Sequence, residues 1–358
     1  MVAPFSDESS VSSTGLQEQL AEIVSQLPTA EHGGLIQQIL ETLVRMIGRE
    51  ADRLDWKILN HALLDMEKGF EGFFPHRHVR KIAVFGSART PETEPDYQLA
   101  KAFGALAARR GFMVMTGAGG GIMQAANEGA GLDSSFGLNI QLPFEQGAND
   151  VLEGSDRLFS FKYFFTRKLF FLKETDAIAL FPGGFGTQDE AFETLTLIQT
   201  GKSSPVPIVL VDHPGGDYWT HWHRYISDNL LDRNLISADD PSLYKITDNL
   251  EEAWEVITHF YRVFHSMRYV GERLIIRLNC ALKAGGIDQL NGQFSDILMR
   301  GKIESIDALP AEKGDETEAL PRLALYFNHR DIGRLYQLIE QINHLGVPSP
   351  AVEHPEKK

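Results

Sequence analysis

The chain predicts an α/β fold in which a parallel sheet carries helices on both faces, with helices added at the N-terminus and a small α+β unit at the C-terminus. Three observations predict it. From Lys81 to about Phe264, short apolar runs alternate with helical segments, the pattern of strands buried on both faces and crossed over by helices. Up to about Arg80, apolar residues recur only at helical spacing, as in Leu35, Ile39, Leu43 and Met46. After His265 the pattern changes again, mixing alternating with helical stretches.

Taken in order, residues 1–80 form a helical extension with helices around Leu35–Ile47 and Leu54–Met66. The core, residues 81–264, reads as strands Ile82–Phe85, Phe112–Met115, Phe136–Leu142, Ala177–Phe181 and Pro207–Val211. Helices Tyr97–Arg110, Tyr163–Glu174 and Gln188–Thr200 lie between them, in β-α-β-α order. Residues 265–347 read as strand Arg273–Asn279, helix Ile287–Arg300, strands Ile303–Ala308 and Arg322–Phe327, and helix Ile332–Ile342, with Pro310–Glu318 as an acidic exposed loop. Such a β-α-β-β-α unit can dimerise, hold a small effector or cover an edge of the core. Residues 348–358 read as a disordered tail.

Composition excludes several classes. Of 358 residues, 43% are hydrophobic and 23% charged, ordinary for a folded protein. No apolar run approaches the ~20 residues of a membrane helix, and the Ser-rich, acidic start lacks a signal peptide's basic end and apolar core. The expected location is therefore cytoplasmic. The single cysteine, Cys280, rules out an internal disulfide and argues against a thiolate zinc site. A net charge of −15 repels nucleic-acid backbones, yet permits one small anion held locally by loops. His76-x-His78 and His221-x-His223 are spaced too closely to share a helix face, so no metal is expected.

Two core strands run into glycine clusters, Thr116-Gly117-Ala118-Gly119-Gly120-Gly121-Ile122-Met123 and Pro182-Gly183-Gly184-Phe185-Gly186-Thr187, each followed by a helix. Glycine lets a loop turn through positive φ and bring backbone N–H groups close to an anion at a helix N-terminus. A tight turn is the plain alternative for either loop alone. Two such loops at carboxyl ends of strands in one parallel sheet point to a phosphate ligand. The dinucleotide fingerprint fails, because Ile122 occupies its third glycine position, and no P-loop is present.

Glu190, in the first turn after the second loop, can stabilise a ribosyl cation or orient a water. Thr187-x-x-Glu190 also has the spacing of a capping box, which would tie up both side chains. Glu193 lies one turn on, on the same face. Arg167 and Lys168 are cations in an aromatic helix, Tyr163–Phe171, suited to stabilising a leaving base or gripping phosphate, or else marking its solvent face.

The run Pro182-Gly-Gly-Phe-Gly-Thr-x-x-Glu190, preceded by Arg167-Lys168 and by Gly117-x-Gly-x-Gly-Ile-Met, closely resembles the LOG family of nucleoside monophosphate phosphoribohydrolases over about Lys81 to Phe264. The resemblance implies a Rossmann-like fold, a homodimer or higher oligomer, and hydrolysis of nucleoside 5′-monophosphates to free base and ribose 5-phosphate without a cofactor. It matches Glu190 and Arg167 to the catalytic pair and Gly183, Gly184, Gly186 and Thr187 to the phosphate loop. Ser87, Gly120, Gly121 and Met123 match further nucleotide-contacting segments. The added N- and C-terminal regions favour a broad purine nucleotide over a cytokinin nucleotide. A non-catalytic mononucleotide sensor is the alternative. No residue pattern for a pyridoxal Schiff base accompanies the "lysine decarboxylase" label that some relatives carry.

Overall fold

The computed structural model describes residues 22, 32–47, 51–142, 147–312, 314 and 316–347, so the expected tail at 348–358 lies outside the described residues. The chain forms two compact units, Met1–Leu64 and Asp65–Lys358.

The first unit holds α1 (Gly33–Ile47) and the opening turns of α2 (Arg53–Phe73). Asp52 caps α2, its Oδ1 accepting the N–H groups of Leu54 at 2.6 Å and Asp55 at 3.0 Å. The Asp55 carboxylate reaches back to the Asp52 N–H at 3.1 Å, a reciprocal N-terminal lock.

The second unit contains a sheet whose described strands are β1 (Lys81–Phe85), β2 (Met113–Thr116), β3 (Ser135–Ile140), β4 (Leu158–Phe161), β5 (Ala177–Leu180), β6 (Ile208–Val211) and β7 (Lys245–Thr247). All pair in parallel, in the order β4-β3-β2-β1-β5-β6-β7. The connecting helices are α3 (Pro95–Arg109), α4 (Ile122–Ala130), α5 (Phe164–Glu174), α6 (Phe185–Gln199), α7 (Tyr218–Ile226) and α8 (Leu250–Phe260). Period-two alternation sends Ile82, Val84, Val114, Val209 and Val211 to one core with α3, α4 and α8. Ala83, Phe85, Met115, Leu180 and Leu210 enter the other core with α5 and α6. Both faces are covered, as the continuous apolar runs require. The fold is Rossmann-like.

The expected core elements do not include β4, β7, α7 or α8. β4 and β7 are four- and three-residue strands, and α7, Tyr-Trp-Thr-His-Trp-His-Arg-Tyr-Ile, has poor helix formers at most positions.

Past α8 the described strands form an antiparallel sheet, order β10-β11-β9-β8, from β8 (Phe264–Val270), β9 (Arg273–Leu278), β10 (Leu298–Ile306) and β11 (Arg322–Phe327). The expected β-α-β-β-α order is corrected to β-β-α-β-β-α. The helix expected over Ile287–Arg300 stops at Phe294 as α9 (Gly286–Phe294), and its last residues belong to β10. Hydrophobic periodicity ran on through Ile297 and Leu298, but there it follows a buried strand entry. α10 (Ile332–Leu345) anchors this sheet to the parallel core. Its buried Asn343 accepts the N–H groups of Val263 and Phe264 at 2.8 and 2.9 Å and donates to Phe260 O at 2.8 Å. The Tyr336 hydroxyl donates to Val206 O at 2.9 Å and accepts the Val206 N–H at 3.0 Å.

Candidate active site

β1 and β5 are neighbours, and from them the sheet runs in opposite chain directions, through β2 to β4 on one side and β6 to β7 on the other. At such a reversal the loops leaving the strands' carboxyl ends diverge and leave a crevice. A cleft of about 700 Å³ opens there, lined by Phe85–Arg89 after β1, Gly117 and Met123 after β2, Arg167 on α5, and Gly183, Gly184 and the first turn of α6 through Gln188 with Glu190.

Backbone hydrogen bonds knit the three loops together. The Ser87 N–H donates to Pro182 O at 3.0 Å, and Ser87 O accepts the Ile122 N–H at 3.0 Å. This seam explains two of the glycines. A Cβ on Gly183 would stand 2.1 Å from Thr187 Oγ1 and 2.9 Å from Ser87 N, and one on Gly121, at φ +62°, would stand 2.2 Å from Ser87 O. Both are glycine so that loops can touch. Gly184 and Gly186 differ, with nothing within 4 Å of a Cβ on either.

α6 begins at Phe185 with Gly184 as its N-cap and no capping side chain. The capping box expected from Thr187-x-x-Glu190 is therefore not formed, because the helix starts three residues before the Gln188 expected as its start. Thr187 sits inside the first turn. The first N–H groups of an α-helix have no acceptor within it, and here no capping side chain among the described residues covers them.

Arg167 and Glu190 meet across the cleft, Nη2 to Oε1 at 3.6 Å, with side chains 14% and 10% exposed. The guanidinium also lies over the rings of Phe164 and Phe171, at 5.2 and 5.6 Å, and its Nε is buried without a hydrogen-bond partner. Burial raises the Glu190 carboxyl above the ordinary glutamate value, against the opposing charges of Lys168 and Arg167. Burial likewise lowers Arg167, opposed by Glu190 and Asp189. Lys168 contacts Glu193 and lies 2.7 Å from Asp189 and 3.9 Å from Glu190. Burial alone would lower its pKa, but hydrogen bonds to Asp189 and Glu193 outweigh this and raise it.

Of the residues singled out from sequence, Glu190, Arg167, Gly183, Gly184, Gly186, Thr187, Met123 and Ser87 line the cleft. Gly120 and Gly121 pack against the backbone of Ala88 and Ser87. Lys168 and Glu193 pair beside the cleft. Arg89 and Gln188 line it without having been foreseen.

Asp65 is another residue with no sequence signal. Buried at 3% exposure, it accepts the N–H groups of Lys162 (2.9 Å) and Tyr163 (3.2 Å) and the Thr166 hydroxyl (2.7 Å). α5 has no capping side chain of its own; Asp65, nearly a hundred residues earlier, supplies the acceptor and so holds the turn that presents Arg167.

No lysine lines the cleft among the described residues, and Lys168, with its raised pKa, is the opposite of the neutral amine a Schiff base needs. The residues present do not fit pyridoxal phosphate. Among the described residues no helix is long and apolar enough to cross a membrane, and no group of three or more His, Cys, Asp or Glu side chains could hold a metal.

Residues 115–257, from β2 into α8, match the family profile described as "Possible lysine decarboxylase", the LOG family. The match covers less than half of the 358 residues. No curated protein matches the chain. Among solved structures, it is similar to TM1055 at 22% identity, over 50% of this chain and 98% of that one, with a TM-score of 0.36. The molybdenum cofactor binding protein from the phototrophic bacterium Rippkaea orientalis is 20% identical over 51% and 95%, TM-score 0.35. DNA processing protein A from Helicobacter pylori is 16% identical over 49% and 78%, TM-score 0.35. Likenesses of this size carry no information about what this chain binds.

Proposed function

We propose that this protein hydrolyses the N-glycosidic bond of nucleoside 5′-monophosphates, releasing a free base and ribose 5-phosphate. The observation that carries the reading is the buried Arg167–Glu190 pair, 3.6 Å apart, in the same cleft as an uncapped helix N-terminus. The N–H groups of the first turn of α6 bind the 5′-phosphate, aided by the positive end of the helix dipole. Gly184 and Gly186 keep that approach open. Glu190, ionised, stabilises the positive charge growing on the ribose carbon and orients the attacking water. Arg167 holds Glu190 ionised against burial and stabilises negative charge leaving with the base. Arg89, exposed at the cleft and without an ion pair among the described residues, is available to substrate charge.

The reading extends to a cytoplasmic homodimer. Phe164 and Phe165 are exposed at the cleft-side end of α5, and a second copy packing there would remove them from water.

Incubation with AMP, GMP, CMP and UMP, followed by chromatography, tests the proposal. Release of base and ribose 5-phosphate by wild type but not by Glu190→Gln supports it. Intact nucleotides, with binding demonstrated by calorimetry, would instead support a mononucleotide sensor.

A further inference from the structure

We infer that Tyr218 is a positioning residue that holds the glycine loop before α6 in its binding shape. The inference rests on the phosphate-binding reading of that loop. Gly184 and Gly186 have no atoms within 4 Å of a would-be Cβ, and Phe185 between them is 97% exposed. These three residues therefore bring almost no packing of their own. Glycine also has the most conformational freedom to lose, so an unheld loop would make its ligand bear the cost of ordering it.

One hydroxyl supplies the constraint. Tyr218, the first residue of α7, donates to Gly183 O at 2.5 Å and accepts from Gln188 Nε2 at 2.6 Å. Its single proton and a lone pair are thus both used, and they bridge the residue before the N-cap to the first residue past the opening turn. Gln188 N–H also closes onto Gly184 O at 3.1 Å, so the exposed Gly184–Gly186 stretch is clamped at both ends. Tyr218 is held in turn: its ring packs on Trp219 at 4.9 Å, and the Trp219 N–H donates to the buried Asp212 carboxylate at 3.0 Å. The hydroxyl reaches the ligand only through the loop, and neither Tyr218 nor Trp219 lines the cleft.

Tyr218→Phe keeps the ring and deletes the clamp. Three measurements on the full-length protein test it: hydrogen exchange of the 183–188 amides without ligand, calorimetric binding of ribose 5-phosphate, and KM and kcat for AMP. The expected result is faster exchange confined to the loop, with Kd and KM raised about three- to tenfold, the range of one neutral hydrogen bond. Melting temperature and kcat should change little. Gln188→Met, which removes the other half of the bridge, should move the same readouts the same way should Tyr218→Phe fold poorly. Unaltered exchange with unaltered Kd and KM overturns the inference and leaves the proposed function standing. If wild type binds no ribose 5-phosphate and releases no base, the proposed function fails; loop exchange then still decides whether Tyr218 holds the loop.

Discussion

The Arg167 guanidinium stands 3.6 Å from the Glu190 carboxylate, and the two approach from helices on opposite sides of β5 in the chain, α5 before it and α6 after it. Each is nearly out of water, each has its pKa displaced by burial toward the neutral form, and each opposes that displacement in the other. A fully solvated pair would contribute little. Held as it is, each charge favours the ionised form of the other, at short range and through little solvent.

Glu190→Gln should lower turnover of the best nucleotide by about a hundred- to ten-thousandfold, the usual range for removing a positioned acid–base or electrostatic group. Nucleotide affinity should change only a few-fold. Single-turnover kinetics beside calorimetry checks both; near-normal turnover would remove Glu190 from the mechanism.

The pH profile follows from the same residue. In the proposed mechanism Glu190 acts ionised, and its pKa is raised by burial, so kcat/KM should climb with pH through a value above that of an ordinary glutamate and fall away below it. Arg167→Gln removes an opposing charge and should push that acid limb to still higher pH. A limb at or below the ordinary glutamate value would contradict the burial argument.

The glycines should separate by role. Gly186→Ala meets no atom and adds a better helix former to the first turn, so the melting temperature should hold or rise while phosphate-ligand affinity falls. Gly121→Ala, at φ +62° and 2.2 Å from Ser87 O, should destabilise by about 2 kcal/mol or more. Thermal melts beside ribose 5-phosphate titrations distinguish the two.

Asp65→Ala should leave the N-terminal turn of α5 without its acceptor. We expect a loss of about 1–3 kcal/mol, the cost of unsatisfied buried donors, accompanied by reduced turnover because Arg167 rides on that turn. Denaturant unfolding and kinetics report the two effects separately.

Outside the cleft lining, Glu312 is fully buried and accepts from Arg277 at 2.8 Å and Arg322 at 3.0 Å. Burial alone would raise its pKa, but hydrogen bonds from Arg277 and the Leu309 N–H, with the charges of Arg322 and Arg277, hold it below the ordinary value. Its contribution to stability is then present above the unfolded-state pKa and is lost as pH falls through the folded one. Glu312→Gln should destabilise by about 3–5 kcal/mol at neutral pH, with the gap to wild type narrowing in acid and activity per folded molecule unchanged.

What the sequence determined by itself was the alternation of buried strands and helices around β1, β2, β5 and β6, the two glycine loops, and Glu190 and Arg167 as candidate site residues. Those signals are local: period-two and period-3.6 burial, and glycine where a chain must turn tightly. Tertiary structure decided the rest. The loop seam at Ser87 assigned Gly121 and Gly183 to packing and left Gly184 and Gly186 facing the cleft, a division invisible in a row of identical residues. An early helix start at Phe185 dissolved the capping box and left Glu190 to Arg167. Asp65 and Tyr218 acquired their positions only because distant segments pack against α5 and α6, and a hydrogen bond between residues 35 or 101 positions apart leaves no period or spacing to read.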